Sequence, residues 1–385
     1  MTAPARVLFV AHAYPRFAGD VAGSFLHRLA TALVARGTQV RVVAPSGPGL
    51  AAEQVLDGVE IVRYRYARAE RETLAYTGTM AEQALAGPAG LATLVALLRA
   101  GARAVRAESR RWRPDVIHAH WWFPGGLQVR MARVDVPMIL TLHGSDVRLI
   151  GGNPLARWLS RRVFAAAQRV TTVSSWLRAR AGLSDAEILP MPVDVDAFHP
   201  DATPRAPARF VFAGRLNAQK GLDVALRALA EAPAYATLDV HGDGPWAATL
   251  RRDAERLGLG DRVRWMGQGS AAALAQAFRE ATAVLVPSRE EGLGLIAVEA
   301  QLCGTRVIAS RSGGLPDVVR DGGGTLVPAE DVPALARAMT EAITHPGAVT
   351  AEAHATLAAG FSPGAAAAAY QAIYAEARAG GGPRD

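Results

Sequence analysis

The first half of the chain alternates between short apolar runs and longer stretches that carry apolar residues at helical spacing. Short apolar runs bounded by turn residues are typical of buried parallel strands, whereas the longer stretches indicate amphipathic helices. The predicted strands are Val7–Ala11, Val40–Ala44, Val59–Tyr64, Val116–His118, Met138–Leu142 and Val170–Val173. This alternation predicts a βαβ architecture with a parallel sheet.

A second alternating region follows residues 188–207, a segment rich in Pro and Asp that has the composition of a linker. Its predicted strands are Phe210–Ala213, Leu238–His241, Val263–Met266, Ala283–Pro287 and Val307–Ala309. Because 385 residues are too many for one core, we expect an α/β fold of two doubly wound, Rossmann-like domains facing a central cleft. The predicted boundaries are 1–195 for the first domain, 196–208 for the linker, 209–363 for the second domain and 364–385 for a terminal helix and frayed tail.

Composition is that of a globular protein, because half of the residues are hydrophobic. We find no stretch that approaches the roughly 20 apolar residues of a membrane span, and no cleavable signal pattern near the amino terminus. The single cysteine, Cys303, permits no intramolecular disulfide and argues against a thiolate metal site. The expected location is the cytoplasm.

Positive charge is concentrated in the first half of the chain. Residues 1–200 carry 24 Arg against 15 acidic residues, whereas residues 201–385 carry 18 basic against 20 acidic residues. One cluster consists of Arg99, Arg103, Arg106, Arg110, Arg111 and Arg113. Such a cluster is typical of a solvated helix face; alternatively it faces an anionic lipid surface or an anionic acceptor. Nothing near it has the pattern of a nucleic-acid-binding module, so we expect no nucleic-acid partner, and peripheral contact with the inner membrane face stays open.

Two glutamates, Glu291 and Glu299, flank a glycine turn between the predicted strand Ala283–Pro287 and a predicted helix, Leu293–Cys303. Glu291 therefore sits at the carboxyl end of a strand, which is the ligand-binding edge of an open α/β sheet. Free amides at the helix start favour an anionic ligand there. Glu299 lies among apolar neighbours and would need a partner if buried, such as the hydroxyls of a ribose; the alternative is a solvated helix face.

Two cations follow the first strand of the second domain, Arg215 and the only lysine of the chain, Lys220. Both are expected at the edge that Glu291 borders, where they would neutralise a diphosphate leaving group. Gly214 precedes them, and Gly242 and Gly244 form another turn at the end of a strand.

In the first domain, Gly19 and Gly23 lie between the first strand and a helix predicted near Ser24, and they would let backbone amides approach a phosphate or an acceptor. His118 and His120 end another strand. We expect them on opposite faces, so that His120 alone lines the cleft, which argues against a metal pair. His143 and Asp146 follow the next strand and are expected on the same rim, on the acceptor side.

Two patterns point to other chemistry. Asp194 and Asp196 have the spacing of a metal-binding pair, but no apolar strand precedes them. Residues 292–297 fit the dinucleotide pattern G-x-G-x-x-A, which would indicate an NADP-dependent oxidoreductase with Arg311 near the 2′-phosphate. Four residues separate the strand from Gly292, so the fit is imperfect.

Taken together, the Glu291/Glu299 segment, Gly214-Arg215 with Lys220-Gly221, the turn after His241, Gly313-Gly314 and the His118-Ala-His120 segment resemble the retaining glycosyltransferases of family 4, which have the GT-B fold. The order and spacing of these motifs match from about Val7 to Met339. Two positions depart from the family pattern: the linker reads Pro190-Met-Pro-Val-Asp194, and Leu293 replaces an aromatic residue. Neither removes a charged group.

The resemblance implies that the second domain binds a nucleoside-diphosphate sugar, with UDP favoured, and that the enzyme passes its hexose-type sugar to a hydroxyl acceptor. The basic first half of the chain leaves open an acceptor that is lipid-linked or phosphorylated. The resemblance assigns the ribose hydroxyls to Glu299, a sugar hydroxyl to Glu291 and the diphosphate to Arg215 and Lys220. Donor contacts are also implied for Gly292, Leu293, Gly294 and Leu295, and a donor-sugar contact for His120. No metal or other cofactor is expected, and the last helix is expected to cross back onto the first domain. A nucleotide-sugar epimerase and a catalytically silent binding protein remain alternatives.

Overall fold

Two sheets organise the protein, for which a computed structural model describes residues 5–76 and 80–380. The strands are β1 (Arg6–Val10), β2 (Gln39–Pro45), β3 (Glu53–Leu56), β4 (Val59–Tyr64), β5 (Val116–His120), β6 (Met138–Leu142), β7 (Arg169–Thr172), β8 (Glu187–Ile188), β9 (Arg209–Ala213), β10 (Thr237–His241), β11 (Val263–Gly267), β12 (Ala283–Val286), β13 (Val307–Ser310) and β14 (Gly324–Val327). The helices are α1 (Ser24–Ala35), α2 (Met80–Leu85), α3 (Pro88–Trp112), α4 (Leu127–Ala132), α5 (Ser145–Gly152), α6 (Pro154–Ala166), α7 (Ser175–Ala181), α8 (Leu222–Glu231), α9 (Ala247–Arg256), α10 (Ala271–Glu280), α11 (Leu295–Leu302), α12 (Leu315–Val318), α13 (Val332–Thr344), α14 (Ala351–Phe361) and α15 (Pro363–Ala379).

The described residues divide into two units. Unit 1 comprises 5–173, 177–192 and 363–380, and unit 2 comprises 174–176 and 193–362. The predicted linker, 196–208, thus lies inside unit 2, and α15 belongs to unit 1 although it ends the described chain. Part of the predicted tail, residues 381–385, lies outside the described residues.

The sheet of unit 1 has the order β3-β4-β2-β1-β5-β6-β7-β8 and is parallel except for the antiparallel pair β3 and β4. Its central strands are fully buried, as expected for continuous apolar runs such as Val7–Val10. Helix α15 contacts α1 and strands β5 and β6, while α3 packs on α4 and β2. The last helix therefore completes the core of the unit that contains the beginning of the chain.

The sheet of unit 2 has the order β11-β10-β9-β12-β13-β14, and every pair is parallel. Phe210, Phe212 and Leu285 from its central strands pack with Leu229 of α8 and Met339 of α13 in one apolar core. Two parallel-sheet α/β units confirm the predicted fold class. The sequence pattern missed β3, β8 and β14, which lie at or next to sheet edges.

Helix α3 bears on the expectation that no stretch approaches a membrane span. It contains an 18-residue window with a mean hydropathy of 1.2, of which only 28% is buried, so its length and composition reach those of a span. Core helices of water-soluble proteins pass the same test, and α3 does bury Leu97, Val105 and Glu108. The arginines that divide its apolar residues hid this stretch from the sequence analysis.

Candidate functional site

The carboxyl ends of β9 and β12 lie side by side in unit 2. The two strands pair in parallel, with Phe210 opposite Ala283 and Phe212 opposite Leu285. The loop that leads to Lys220 and the loop that carries Glu291 therefore leave the same edge of the sheet as neighbours. This is the edge at which ligands bind in open α/β sheets.

Lys220 and Glu291 meet in an ion pair at this edge. The Lys220 Nζ donates to Oε2 of Glu291 at 2.5 Å, and the Ser288 hydroxyl donates to the same oxygen at 3.2 Å. A short 3₁₀ turn, Ala218–Lys220, positions the lysine, and the Asn217 side chain caps that turn. The side chains are 24% and 14% exposed, so both charges remain accessible to a ligand.

Close backbone packing explains several glycines of the site. A Cβ at Gly242 would lie 1.9 Å from the carbonyl oxygen of Gly214, and one at Gly244 would lie 2.4 Å from that of Leu216. A Cβ at Gly221 would lie 2.0 Å from the carbonyl oxygen of Pro287. Only glycine fits at such separations. The loops after β9, β10 and β12 are thereby packed main chain against main chain.

A further loop, after β13, supports the glutamate loop from the other side. The Gly314 amide donates to the Glu291 carbonyl at 2.9 Å, and the Ser312 hydroxyl donates to the Ser288 carbonyl at 2.6 Å. The Ser174 hydroxyl donates to the Gly292 carbonyl at 2.6 Å. These contacts explain the role of the Gly313-Gly314 motif, because the carboxylate of Glu291 is presented by a main chain that is held on both sides.

Arg289 connects the lysine loop to the glutamate loop, a role that no pattern in the sequence indicated. Its amide donates to the Gln219 carbonyl at 2.8 Å, and its guanidinium binds both carboxylate oxygens of Asp223 at 2.8 and 2.7 Å. It also bonds to the Ala218 carbonyl and pairs with Glu330. The hydrogen bonds that Arg289 donates to Asp223 are the main cause that raises the pKa of Arg289. Position 289 follows a strand end like its neighbours, but only the fold shows its partners.

Helix α11 starts next to the ion pair. Gly294 caps it in a left-handed conformation, with φ of 96°, and no side chain occupies the cap. The amides of Leu295 and Ile296 lie in the first turn, where helix geometry provides no acceptor within the helix. Leu293, which precedes this turn in the chain, is buried, at 6% exposure. The geometry is that of an anion-binding helix start beside a lysine.

Glu299 is buried within α11, at 7% exposure, which excludes the solvated helix face as its environment. Arg215 is half-buried in the loop after β9. His241, at the end of β10, is 8% exposed, and its Nε2 has no hydrogen-bond partner among the described residues. Burial lowers its pKa, so the imidazole is neutral at pH 7.

In unit 1, the residues after β1 form a glycine loop that opens α1. Gly23 caps the helix in a left-handed conformation, and a Cβ there would lie 2.5 Å from the Ala13 carbonyl oxygen. Asp20 accepts hydrogen bonds from the Ala22 amide and the Arg16 guanidinium, at 3.2 and 2.6 Å. Gly19, with φ of 86°, faces open space. Polar residues of the loop therefore hold its conformation, and the main chain at Gly19 is not covered by other groups.

The prediction that His118 and His120 lie on opposite faces of β5 is wrong. Alternation places residues i and i+2 on the same face, and the two ring centroids are 4.0 Å apart. Both rings are fully buried. His118 bonds to the Tyr374 hydroxyl of α15 and to Thr141, each at 2.7 Å, while Nδ1 of His120 lies 3.2 Å from Nε2 of His143.

Burial lowers the pKa of His118, His120 and His143 well below the ordinary value of 6.5, and proximity to a second imidazole adds to the effect. All three are therefore neutral at pH 7. Among the described residues, Nε2 of His120 has no hydrogen-bond partner. A neutral imidazole with a free nitrogen suits hydrogen bonding to a hydroxyl group.

Asp146 has a positioning role in this structure. Its carboxylate accepts from the amides of Trp122, His143 and Gly144 at 3.0, 3.2 and 2.9 Å. Burial raises its pKa, although these three bonds oppose the effect. Asp146 thus fixes the main chain of His143 and of the turn after His120, and a direct acceptor contact for it or for His143 stays a prediction.

Asp194 caps a turn, because its carboxylate accepts from the Ala197 amide at 3.0 Å. Within residues 5–76 and 80–380, no group of three or more His, Cys, Asp or Glu side chains is arranged to hold a metal ion. The Asp194/Asp196 alternative therefore gains no support from the arrangement of the side chains.

Two protein-family models match the chain in succession. The model described as Glycosyltransferase Family 4 matches residues 22–197, and the one described as Glycosyl transferases group 1 matches residues 197–356. The junction at residue 197 lies close to the first residue of the main segment of unit 2, Val193. The matches therefore follow the division seen in the structure.

Curated relatives cover most of the chain. The D-inositol 3-phosphate glycosyltransferase of Mycolicibacterium smegmatis is 32% identical over 321 residues, which are 74% of this chain and 74% of the relative. The glycogen synthase of Mycobacterium tuberculosis is 29% identical over 388 residues, covering 91% of this chain and 89% of the relative.

Solved structures share the fold over nearly the whole length. Sucrose-phosphate synthase from Thermosynechococcus elongatus superposes with a TM-score of 0.81 at 23% identity, covering 98% of this chain and 100% of the other. HepE from Anabaena, solved in complex with UDP-glucose, superposes with a TM-score of 0.71 at 17% identity, covering 96% and 99%. At these identities the likeness shows the fold.

Proposed function

Because the chain belongs to glycosyltransferase family 4, we propose that it transfers a hexose-type sugar from a UDP-sugar to a hydroxyl acceptor, with retention of configuration and without a metal ion. Its membership of the family and its GT-B fold establish the broader activity, sugar transfer from a nucleotide-sugar donor. The uridine base of the donor, the retention of configuration and the independence from a metal ion are proposals.

The Lys220–Glu291 ion pair carries the donor proposal. It places an ammonium group and a carboxylate 2.5 Å apart beside the start of α11, at the ligand-binding edge of the sheet. A diphosphate would take the ammonium and the helix amides of Gly294 and Leu295, and Glu291 would then accept a hydrogen bond from a hydroxyl of the donor sugar. In this proposal the two members of one ion pair bind the diphosphate and the sugar.

The remaining proposed contacts follow the order of sugar, diphosphate and ribose in the donor. Arg215 would add a second cation to the diphosphate, and Glu299, buried in α11, would accept hydrogen bonds from the ribose hydroxyls. The close packing of Gly242 against Gly214 and of Gly244 against Leu216 supports a place for these loops beside the proposed nucleotide. In unit 1, His120 and the surface at Gly19 are proposed to contact the donor sugar and the acceptor. For the buried ring of His120, this contact requires that ligand binding opens access to its nitrogen.

In the proposed reaction the anomeric C–O bond to the diphosphate breaks, and the acceptor oxygen bonds to the same carbon from the same face. The leaving diphosphate carries the developing negative charge, which Lys220, Arg215 and the helix amides stabilise. The sugar becomes oxocarbenium-like, and the acceptor proton passes to the departing phosphate oxygen. Cations and amides fixed before binding would replace a metal ion in this role.

Two relatives support the choice of uridine as the base and of an anionic acceptor. HepE, which shares the fold, was solved with UDP-glucose, which favours uridine as the base. The Mycolicibacterium relative is named for a phosphorylated acceptor, and the first half of this chain carries 24 Arg against 15 acidic residues, which suits an anionic acceptor.

The test compares donor hydrolysis and transfer with UDP-, GDP- and ADP-sugars in excess EDTA. We expect turnover with UDP-sugars in EDTA, and a loss of roughly 100-fold or more in Lys220→Ala and in Glu291→Ala. Arg227→Ala, an exposed arginine of α8, is the control and should retain wild-type turnover. Turnover that is restored only by manganese would refute metal independence, and wild-type turnover in either variant would remove that residue from the mechanism.

The same assay separates the alternatives. An epimerase would change the donor sugar without releasing UDP, and a silent binding protein would bind UDP without turnover. The NADP-dependent reading requires binding of NADP(H), which a thermal-shift comparison with UDP tests directly. Family membership argues against that hypothesis.

A further inference from the structure

One surface of unit 1 combines unusually high positive charge with exposed apolar side chains. It is formed by the outward sides of α3, α4 and α6, of which α4 contacts both others, and is called the α3–α4–α6 face below. These three helices contain nine Arg and a single acidic residue, Glu108. Glu108 is buried and pairs with Arg41 at 2.8 Å, so it contributes no exposed negative charge.

The same face exposes large apolar side chains. Of the twelve exposed large hydrophobic residues in the described chain, four lie on it: Leu91, Val95, Leu155 and Trp158, with 55%, 38%, 61% and 50% of their surface exposed. Isolated exposed apolar residues are ordinary, but a concentration on one patch marks an interaction surface. The low burial of the apolar window in α3 agrees with this.

Charge and apolar surface are arranged in order along α3. Pro88, Leu91 and Val95 follow one another at helical spacing, and Arg99 and Arg103 continue the same row, so that all five line one shallow depression. In the part of the chain that the structure describes, Arg99 and Arg103 form no ion pair. On α6, the Arg162 guanidinium lies over the Trp158 ring at 3.6 Å, which keeps the two groups together at the surface.

We propose that the α3–α4–α6 face binds the surface of an anionic lipid bilayer. Its aliphatic side chains and Trp158 would enter the headgroup boundary, where indole rings are favoured, while the arginines would lie among lipid phosphates. Nucleic acid would use the arginines but leave Leu91, Val95 and Leu155 without a binding partner. Because the cytoplasmic leaflet is the anionic one, this contact would hold the enzyme at that face of the membrane.

Sedimentation with vesicles tests the charge requirement. The full chain should sediment with vesicles that contain phosphatidylglycerol at low salt, much less at high salt, and not with phosphatidylcholine alone. Arg99→Gln/Arg103→Gln should weaken binding roughly 30-fold, since each arginine near the surface contributes about 1 kcal/mol. The matched control is Arg251→Gln/Arg252→Gln, two exposed arginines on α9 of unit 2, which should bind like the wild type.

A labelled variant tests the location. The native Cys303 is buried and burial raises its pKa to about 12, so a thiol-reactive, environment-sensitive dye would label an introduced Val95→Cys selectively. The emission of dye at position 95 should shift to shorter wavelength when anionic vesicles are added. The emission of dye on Arg252→Cys should not shift.

Three results would overturn the proposal: no sedimentation with anionic vesicles at low salt, equal loss of binding in both double variants, or concentration-dependent dimerisation that Val95→Gln abolishes, which would show that a second copy covers this face. Donor hydrolysis measured on the same preparations should be unchanged in Arg99→Gln/Arg103→Gln, and this reports folding. The proposal stands or falls independently of the donor and acceptor assigned above.

Discussion

His118 shows how a single residue acquires its environment from distant parts of the chain. Its ring is fully buried, bonded to Thr141 on the next strand and to Tyr374 on the last helix, and packed against His120. The sequence alone placed His118 and His120 at the end of a strand. It could not identify Tyr374 as a partner, because 256 positions separate the two residues.

The buried histidines predict that the protein loses stability in mild acid. The folded-state pKa values of His118, His120 and His143 are lowered, so the folded state binds fewer protons than the unfolded state below about pH 6.5. Their contribution to the free energy of unfolding is therefore complete above that pH. It is lost as the pH falls, by about 1.4 kcal/mol per pH unit for each residue. Urea unfolding between pH 7.5 and 5 measures this slope.

His118→Gln removes one of these titrating groups, so the slope of unfolding free energy against pH should decrease by the contribution of one histidine. His199→Gln, an exposed histidine, is the control and should leave the slope unchanged. If His118→Gln has the wild-type slope, His118 is protonated in the folded state and the account of its environment is wrong.

At the scale of elements, the sequence predicted most strands because central strands are continuous apolar runs. Val59–Tyr64 and Met138–Leu142 were predicted to the residue. The missed strand β3, Glu53–Leu56, alternates exposed and half-buried positions at the sheet edge and pairs antiparallel with β4. β8 has only two residues. Such short edge strands depend on their neighbour for pairing, so their own sequence carries little signal.

Loop packing predicts a severe effect for one glycine variant. Gly242→Ala would place a methyl group 1.9 Å from the Gly214 carbonyl oxygen, which requires the loop before Lys220 to move. We expect a loss of more than about 3 kcal/mol in unfolding free energy, together with weaker UDP binding. Gly258 also has positive φ, but a Cβ there would have no atom within 4 Å. Gly258→Ala is therefore the control and should lower the unfolding free energy by about 1 kcal/mol. Similar losses in both variants would show that backbone strain, and not loop contact, sets the cost.

Arg289 predicts a link between loop geometry and donor affinity. Arg289→Gln breaks the contacts to Asp223, Glu330 and the Ala218 carbonyl that hold the turn before Lys220. Calorimetry should show UDP affinity reduced about 10-fold or more, with a smaller change in the turnover of bound donor. Arg227→Gln removes the other, weaker partner of Asp223, at 3.5 Å, and should bind UDP normally. Unchanged affinity in Arg289→Gln would show that Lys220 does not depend on this support.

For the whole molecule, the sequence indicated the proposed donor site more fully than it indicated the first unit. Lys220 and Glu291 come from loops after neighbouring strands of one sheet, so the predicted strand ends brought them together. Unit 1 depends on α15, whose residues 363–380 follow the whole of unit 2 in the chain. Periodicity predicts such a helix but does not show which core it completes, and the resemblance to a known family supplied that expectation.

The central claim is that Lys220 binds the diphosphate of a uridine nucleotide, and the composition of the chain offers a direct measurement of it. Lys220 is the only lysine, so reductive methylation with carbon-13 formaldehyde gives one side-chain signal besides that of the amino terminus. Titration with UDP in EDTA should shift this signal saturably, whereas uridine should leave it unmoved, because only UDP carries the diphosphate. A signal that stays unmoved while calorimetry on the same sample shows UDP binding would contradict the account.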